Sequence, residues 1–192
     1  MEILKVKNKI NKRIEKIIKD GGVLVFPTDT VYGLICDATN RKAVERVFKI
    51  KERQKNKPVP IFVKDLKMAK NLVIIPKKQE EFFKKTWPGK VTIVLKRKKT
   101  RIKIYGVDKK TIALRIPNYG LVNILLDKLK KPLVGTSANI LGKAASGNIR
   151  EVTRQFENKN YQPDLLIDGG ILSGKPSVIL DLTVSPPKIL RN

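Results

Sequence analysis

Apolar residues at Ile10, Ile14, Ile17 and Ile18 recur at helical spacing, and Gly21-Gly22 closes the segment. The next stretch, Val23–Phe26, is an unbroken apolar run of the kind a fully buried strand shows. It runs into Pro27, Thr28, Asp29 and Thr30 before Val31, Tyr32 and Gly33. Two hydroxyls flanking a carboxylate at a strand end suit a surface turn or the rim of a pocket. Asn40 can cap a helix carrying Ala43, Val44, Val47, Phe48 and Ile50. Val59–Val63 reads as a strand, and Asp65 can cap the short helix after it. Pro76 suits the first turn of a helix carrying Phe82 and Phe83.

Further along, Pro88-Gly89 turns the chain into a strand from Val91 to Lys96. Lys96–Lys110 holds eight basic residues and one acid, which predicts a charged loop or hairpin edge. Ile112–Ile116 is a strand, Leu121–Leu129 a helix, and Pro132–Gly135 a strand leading into Thr136. Ile149–Phe156 reads as a helix, followed by strands at Leu165–Asp168, Val178–Leu182 and Lys188–Arg191. About seven strands interleaved with helices predict an α/β fold with a twisted mixed sheet. With no internal repeat and no linker, one domain over residues 1–192 is expected.

Composition narrows the chemistry. Histidine is absent and Cys36 is the single cysteine. That removes Ser-His-Asp and Cys-His catalysis, any internal disulfide and a structural zinc site. A lone cysteine suits a reducing cytosol. The start lacks a secretory core, and no apolar run approaches the ~18 residues of a membrane helix, so no membrane partner is expected. The 42 Lys+Arg residues outnumber 17 Asp+Glu, for a formal charge of +25. Heat adaptation raises acids together with bases. Here the acids are missing, which favours a polyanion partner, tRNA or double-stranded RNA among them.

Four stretches carry candidate chemistry. Leu133–Asn148 ends a strand in small polar residues and glycines, which let backbone N–H groups approach an anion closely. In Lys49–Val63, Lys51, Arg53, Lys55 and Lys57 alternate; if extended, all four form a cationic wall. Arg115 interrupts an apolar strand and needs an anionic partner, either a ligand carboxylate or one of Asp29, Asp168 and Asp181. Ser177 stands at the entrance of a strand behind Gly169-Gly170 and Gly174, placed to bind a ligand or cap a turn.

In order, PTDTVYGL, KER with KPVPIFV, TWPGKVTIVL, ALRIP, TSAN with AASG, PSVILD and the terminal ILR resemble the YrdC family, the single-domain threonylcarbamoyl-AMP synthases. The resemblance runs from Pro27 to Arg191 and implies a twisted α/β sheet with a basic concave groove. It implies condensation of L-threonine, bicarbonate and ATP into threonylcarbamoyl-adenylate, with Mg²⁺ assisting and pyrophosphate released. A separate transferase then modifies the tRNA adenosine beside the anticodon. Thr30, Arg115, Thr136 and Ser177 would line the threonine pocket. Lys51, Arg53, Lys57, Thr111, Ala138, Asn139, Ser146 and Arg191 would meet ATP, with Lys51 and Arg53 the catalytic pair. The chain departs from the family pattern at Asp29 for glutamate, Gln54 for proline, Phe62 for histidine, Leu141 for serine and Val178 for threonine. Two rivals remain: a non-catalytic RNA-binding module, and a carbamoyl-adenylate-forming domain of hydrogenase maturation, which belongs to longer, cysteine-rich chains.

Overall fold

The computed structural model describes residues 1–6, 9–172 and 174–192. Its strands form one mixed sheet in the order β1-β8-β2-β3-β7-β4-β6-β5-β9-β10. The strands are β1 (Ile3–Lys5), β2 (Leu24–Phe26), β3 (Gly33–Asp37), β4 (Ile61–Phe62) and β5 (Val91–Lys96), then β6 (Thr111–Arg115), β7 (Leu133–Ser137), β8 (Leu165–Asp168), β9 (Val178–Asp181) and β10 (Lys188–Arg191). The helices are α1 (Lys12–Lys19), α2 (Arg41–Ile50), α3 (Leu66–Leu72), α4 (Glu80–Thr86), α5 (Gly120–Leu129) and α6 (Ile149–Phe156).

Local signals explain most helix starts. The side chains of Asn11, Asn40, Asp65 and Asn148 each accept a backbone N–H in the first turn of α1, α2, α3 and α6. The expected Val59–Val63 strand shrinks to Ile61–Phe62, because Pro58 and Pro60 lack the N–H a ladder needs. β1 and β3 are additional to the expected set. β3 pairs with β2 and with β7, and among the described residues β1 pairs with β8 alone. Expected loop character from Lys96 to Lys110 holds, apart from the start at Lys96 and a single bridge between Arg97 and Val73.

The sheet is covered unevenly. On one face Val23, Val25, Leu34, Ile61, Ile93 and Leu114 join residues of α2, α3, α4 and α6 in one core. On the other, Leu24, Phe26, Ile35, Leu133 and Ile167 pack under α1 and α5. That second core ends at Phe62 of β4, with no residue from β5, β6 or β9. Arg115 is the register partner of Phe62 and so shares its face. The second face of β6-β5-β9-β10 therefore lies beyond the α1/α5 layer, and the cleft opens there. Buried strands on both sides explain why Val23–Phe26 shows no alternation: successive residues enter different cores.

Candidate functional site

The cleft has a volume of about 570 Å³. The β2–β3 connection, the Arg53–Phe62 segment and strands β5, β6, β7, β9 and β10 contribute to its lining. Of the site residues expected from sequence, Thr30, Arg53, Lys57, Thr111, Arg115, Thr136, Ser177 and Arg191 line it.

Arg115 is the centre of one end. It is only 3% exposed. Its Nε donates to the Gly89 carbonyl at 2.8 Å, Nη1 to Thr30 Oγ1 at 3.2 Å and Nη2 to Asp29 Oδ1 at 2.6 Å. Asp29 Oδ2 accepts the Asn118 N–H at 3.1 Å. Asp29 is thus the internal partner among the three acids considered. A guanidinium carries five N–H donors, and with three engaged two remain for a ligand. Burial depresses the Arg115 pKa and Asp29 opposes that shift. The β2–β3 connection is rigid here: Thr28 Oγ1 donates to the Val31 carbonyl at 2.6 Å and lies 2.9 Å from Thr30 Oγ1. Gly174 packs against it so tightly that a Cβ would sit 2.3 Å from the Thr30 carbonyl oxygen. The Thr28–Thr30 strand end is accordingly a pocket rim.

Ser177 and Arg191 form the adjacent wall. Ser177 Oγ lies 2.8 Å from Thr92 Oγ1. Arg191 donates to the Ser177 carbonyl at 3.0 and 2.7 Å and to Ser177 Oγ at 3.1 Å. Burial, then the charge of Arg115, lowers the Arg191 pKa. A buried guanidinium, Arg115, and a partly desolvated one, Arg191, thus face one cleft, with Asp29 the one carboxylate bonded to either of them among the described residues. Such uncompensated positive charge attracts an anion.

The expected cationic wall does not form. Lys51 ends α2 as its C-cap in helical conformation, and Glu52 follows with φ of 52°, so the segment is not extended. Lys51 is 2% exposed and lies outside the cleft lining. Its Nζ donates to the Ser137 carbonyl at 2.6 Å, the Asn139 carbonyl at 2.9 Å and Asn139 Oδ1 at 3.0 Å. All three ammonium donors are used on the turn after β7. Burial, with a smaller push from Arg53, lowers the Lys51 pKa to about 7. Arg53 Nε and Nη2 donate to the carbonyls of Lys57 and Pro58, shaping the loop at the cleft wall. Lys55 lies 3.9 Å from Glu45, on the outer surface.

Ala138, Asn139 and Ser146 also sit behind the lining. Ala138 is fully buried, Asn139 holds Lys51, and Ser146 donates to Glu151 at 2.6 Å. The TSAN turn therefore presents Thr136 and Ser137 to the cleft while Asn139 locks against Lys51. Val94, Ala113, Ile179, Asp108 and Leu190 also line the cleft and carry no site role in the sequence reading, whereas Phe62, singled out as a departure from the family pattern, and Asp181, weighed as a partner of Arg115, line it too. Alternation in β5, β6 and β9 carried the signal, but which face stays uncovered is not written locally.

The residues of the cleft could hold a Mg²⁺ ion only together with oxygens supplied by a bound ligand. Among the described residues no three acidic, cysteine or histidine side chains cluster as a metal cage. Of the acids in the lining, Asp108 is the one placed to supplement ligand oxygens, as Mg²⁺ sites commonly need.

Sheet, rim and guanidinium pair together define an α/β ligand-binding domain with an anion-receptive cleft. The chain belongs to the Sua5/YciO/YrdC family, whose model, described as "Telomere recombination", matches residues 16–192. It is 34% identical over 178 residues to the threonylcarbamoyl-AMP synthase of Pyrococcus abyssi, covering 91% of this chain and 51% of that protein. It is 30% identical over 183 residues to the uncharacterized protein YciO of Escherichia coli K12, covering 95% of this chain and 87% of YciO. The crystal structure of P. abyssi Sua5 complexed with L-threonine superposes with a TM-score of 0.86 at 32% identity, over 100% of this chain and 57% of that one. The chain thus spans about half the length of the P. abyssi synthase. Among the described residues no helix is long and apolar enough to cross a membrane.

Proposed function

We propose that this chain is an L-threonylcarbamoyladenylate synthase, a nucleotidyltransferase that supplies threonylcarbamoyl-AMP for modification of the tRNA adenosine beside the anticodon. The observation that carries this reading is Arg115: buried, oriented by Asp29 and Thr30, in the lining of the cleft and with two N–H donors left over. A carboxylate is the matching ligand for a guanidinium fork. L-threonine fits the hydroxyl-rich walls made by Thr30, Thr136 and Ser177.

The threonine amine takes up bicarbonate as a carbamate, with loss of water. A carbamate oxygen attacks the α-phosphorus of ATP, one P–O bond forms, the bond to pyrophosphate breaks, and pyrophosphate leaves. This sequence needs no histidine. Arg53, Lys57 and Arg191 meet the negative charge of the phosphates, and Mg²⁺, with Asp108 among its possible ligands, would supply further charge neutralisation. Thr111 flanks the nucleotide. Lys51 shapes the site from behind: it holds Ser137 and Asn139, keeping the TSAN turn, with Ala138 and Ser146, in place. Rate enhancement comes mainly from positioning and charge stabilisation. A separate transferase then passes the threonylcarbamoyl group to tRNA.

The deciding experiment is mass detection of threonylcarbamoyl-adenylate from purified protein, ATP, Mg²⁺, bicarbonate and L-threonine. Product that depends on all three substrates supports the reading. Its absence, with ATP and threonine shown to bind, overturns it. Carbamoyl-adenylate formed from carbamoyl phosphate without threonine would favour the rival carbamoyl-transfer chemistry.

A further inference from the structure

β6, β5 and β9 bring Ala113, Val94 and Asp181 into one row across the sheet. Val94 is the register partner of both Ala113 and Asp181. All three line the cleft, as does Ile179 two residues before Asp181. Ile93, Leu114 and Ile112 point to the opposite core, as strand alternation requires. Leu190 of β10, 52% exposed, adds an apolar edge to the same floor. This end of the cleft is thus a strip of small and aliphatic side chains, closed by one acid.

Asp181 is held in a fixed orientation. Its Oδ1 accepts the Thr183 N–H at 2.8 Å and the Thr183 hydroxyl at 2.6 Å. Its Oδ2 has no hydrogen-bond or ion-pair partner among the described residues, in a chain with +25 formal charge. An acceptor-only group in this cleft repels phosphates, so its ligand is a donor. A flat aromatic ring covers the apolar strip, whereas a strongly hydrated Mg²⁺ gains nothing from it.

We propose that Asp181 is the base-reading residue of the nucleotide subsite: a purine lies on Ala113, Val94 and Ile179, and its exocyclic amine donates to Asp181 Oδ2. The inference rests on the proposed nucleotide-dependent reaction and names the part of the cleft that selects its base. The strip and Arg115 occupy the same face, with Arg115 two residues beyond Ala113 on β6. The base and the amino-acid ends of the cleft are therefore built on one strand.

The test is direct binding of three nucleotides to the purified chain, each with and without Mg²⁺: ATP, purine riboside triphosphate, which lacks the amine, and GTP. Wild-type protein is expected to bind ATP roughly ten- to a hundredfold tighter than the amine-free analogue, the effect of removing one hydrogen bond to a charged acceptor. In Asp181→Asn, Thr183 still anchors the oxygen, so a donor nitrogen replaces Oδ2 and the preference should vanish. Ala113→Leu fills the strip and should weaken all three nucleotides together. A threonine titration on each variant confirms folding. Equal binding of ATP and its amine-free analogue by wild type overturns the inference alone. So does a preference for GTP, or an Asp181→Asn effect seen only with Mg²⁺, which makes the carboxylate a metal ligand. No binding of any nucleotide overturns both this inference and the proposed function.

Discussion

Arg115 Nη2 lies 2.6 Å from Asp29 Oδ1, with the two side chains only 3% and 8% exposed. The pair joins the end of β6 to the rim after β2, and it orients the guanidinium before any ligand arrives. A buried pair of this kind is a positioning device, since its desolvation cost cancels much of its attraction.

Arg115→Ala should weaken threonine binding by roughly 1.5–3 kcal/mol, the range for hydrogen bonds to charged groups. It should also lower stability by about 3–5 kcal/mol, because Asp29 would stay buried without its partner. Calorimetric titration with threonine and a thermal melt separate the two effects. Restoring stability with Arg115→Ala/Asp29→Ala, while binding stays weak, would establish the ligand role. Threonine affinity unchanged in the single variant would refute it.

Lys51 predicts a pH dependence of stability. The folded chain releases its proton near 7, whereas an unfolded lysine releases it near 10.4. Between those values the unfolded state binds the extra proton, so stability rises with pH. The melting temperature of wild type should climb over that window more steeply than that of Lys51→Met. Parallel profiles for the two proteins would show that the buried lysine does not titrate there.

Gly174→Ala should damage the rim without removing any polar group. Its Cβ would meet the Thr30 carbonyl oxygen at 2.3 Å, and backbone cannot swing aside as a side chain can. Overpacking of this kind costs about 1–3 kcal/mol. Threonine affinity should fall together with the melting temperature. A variant with native threonine binding would mean that the rim tolerates displacement.

The basic run at Arg97, Lys98 and Lys99 lies outside the cleft lining. If RNA docks on it, removing each cation that meets a phosphate should reduce the salt slope by roughly 0.7–0.9. Neutralising the three residues should weaken and flatten RNA binding while adenylate synthesis without RNA stays near normal. Affinity across a salt series, beside an adenylate assay, checks both halves. An unchanged slope would place any RNA docking elsewhere.

Much of the fold was legible locally. Asn40 and Asp65 cap their helices as expected, and β5 begins and ends at the expected residues, Val91 and Lys96. Capping and periodicity are properties of a few neighbouring residues, so a linear reading reaches them. β1 was missed because three residues at a sheet edge make sense only beside β8, more than 150 residues away in sequence.

For the site, the sequence alone pointed to Arg115 as a charge needing a partner and to Thr28–Thr30 as a strand end with unusual polarity. It could not choose among Asp29, Asp168 and Asp181, since the pairing spans 86 residues. The alternating lysines and arginine suggested a wall, yet the tertiary structure turned Lys51 inward, because three acceptors of the β7 turn lie at the end of α2. Nor did any local signal mark Ala113, Val94 and Asp181 as neighbours. Their meeting depends on strand order and on where the α1/α5 layer stops, which are set by the packing of the whole sheet.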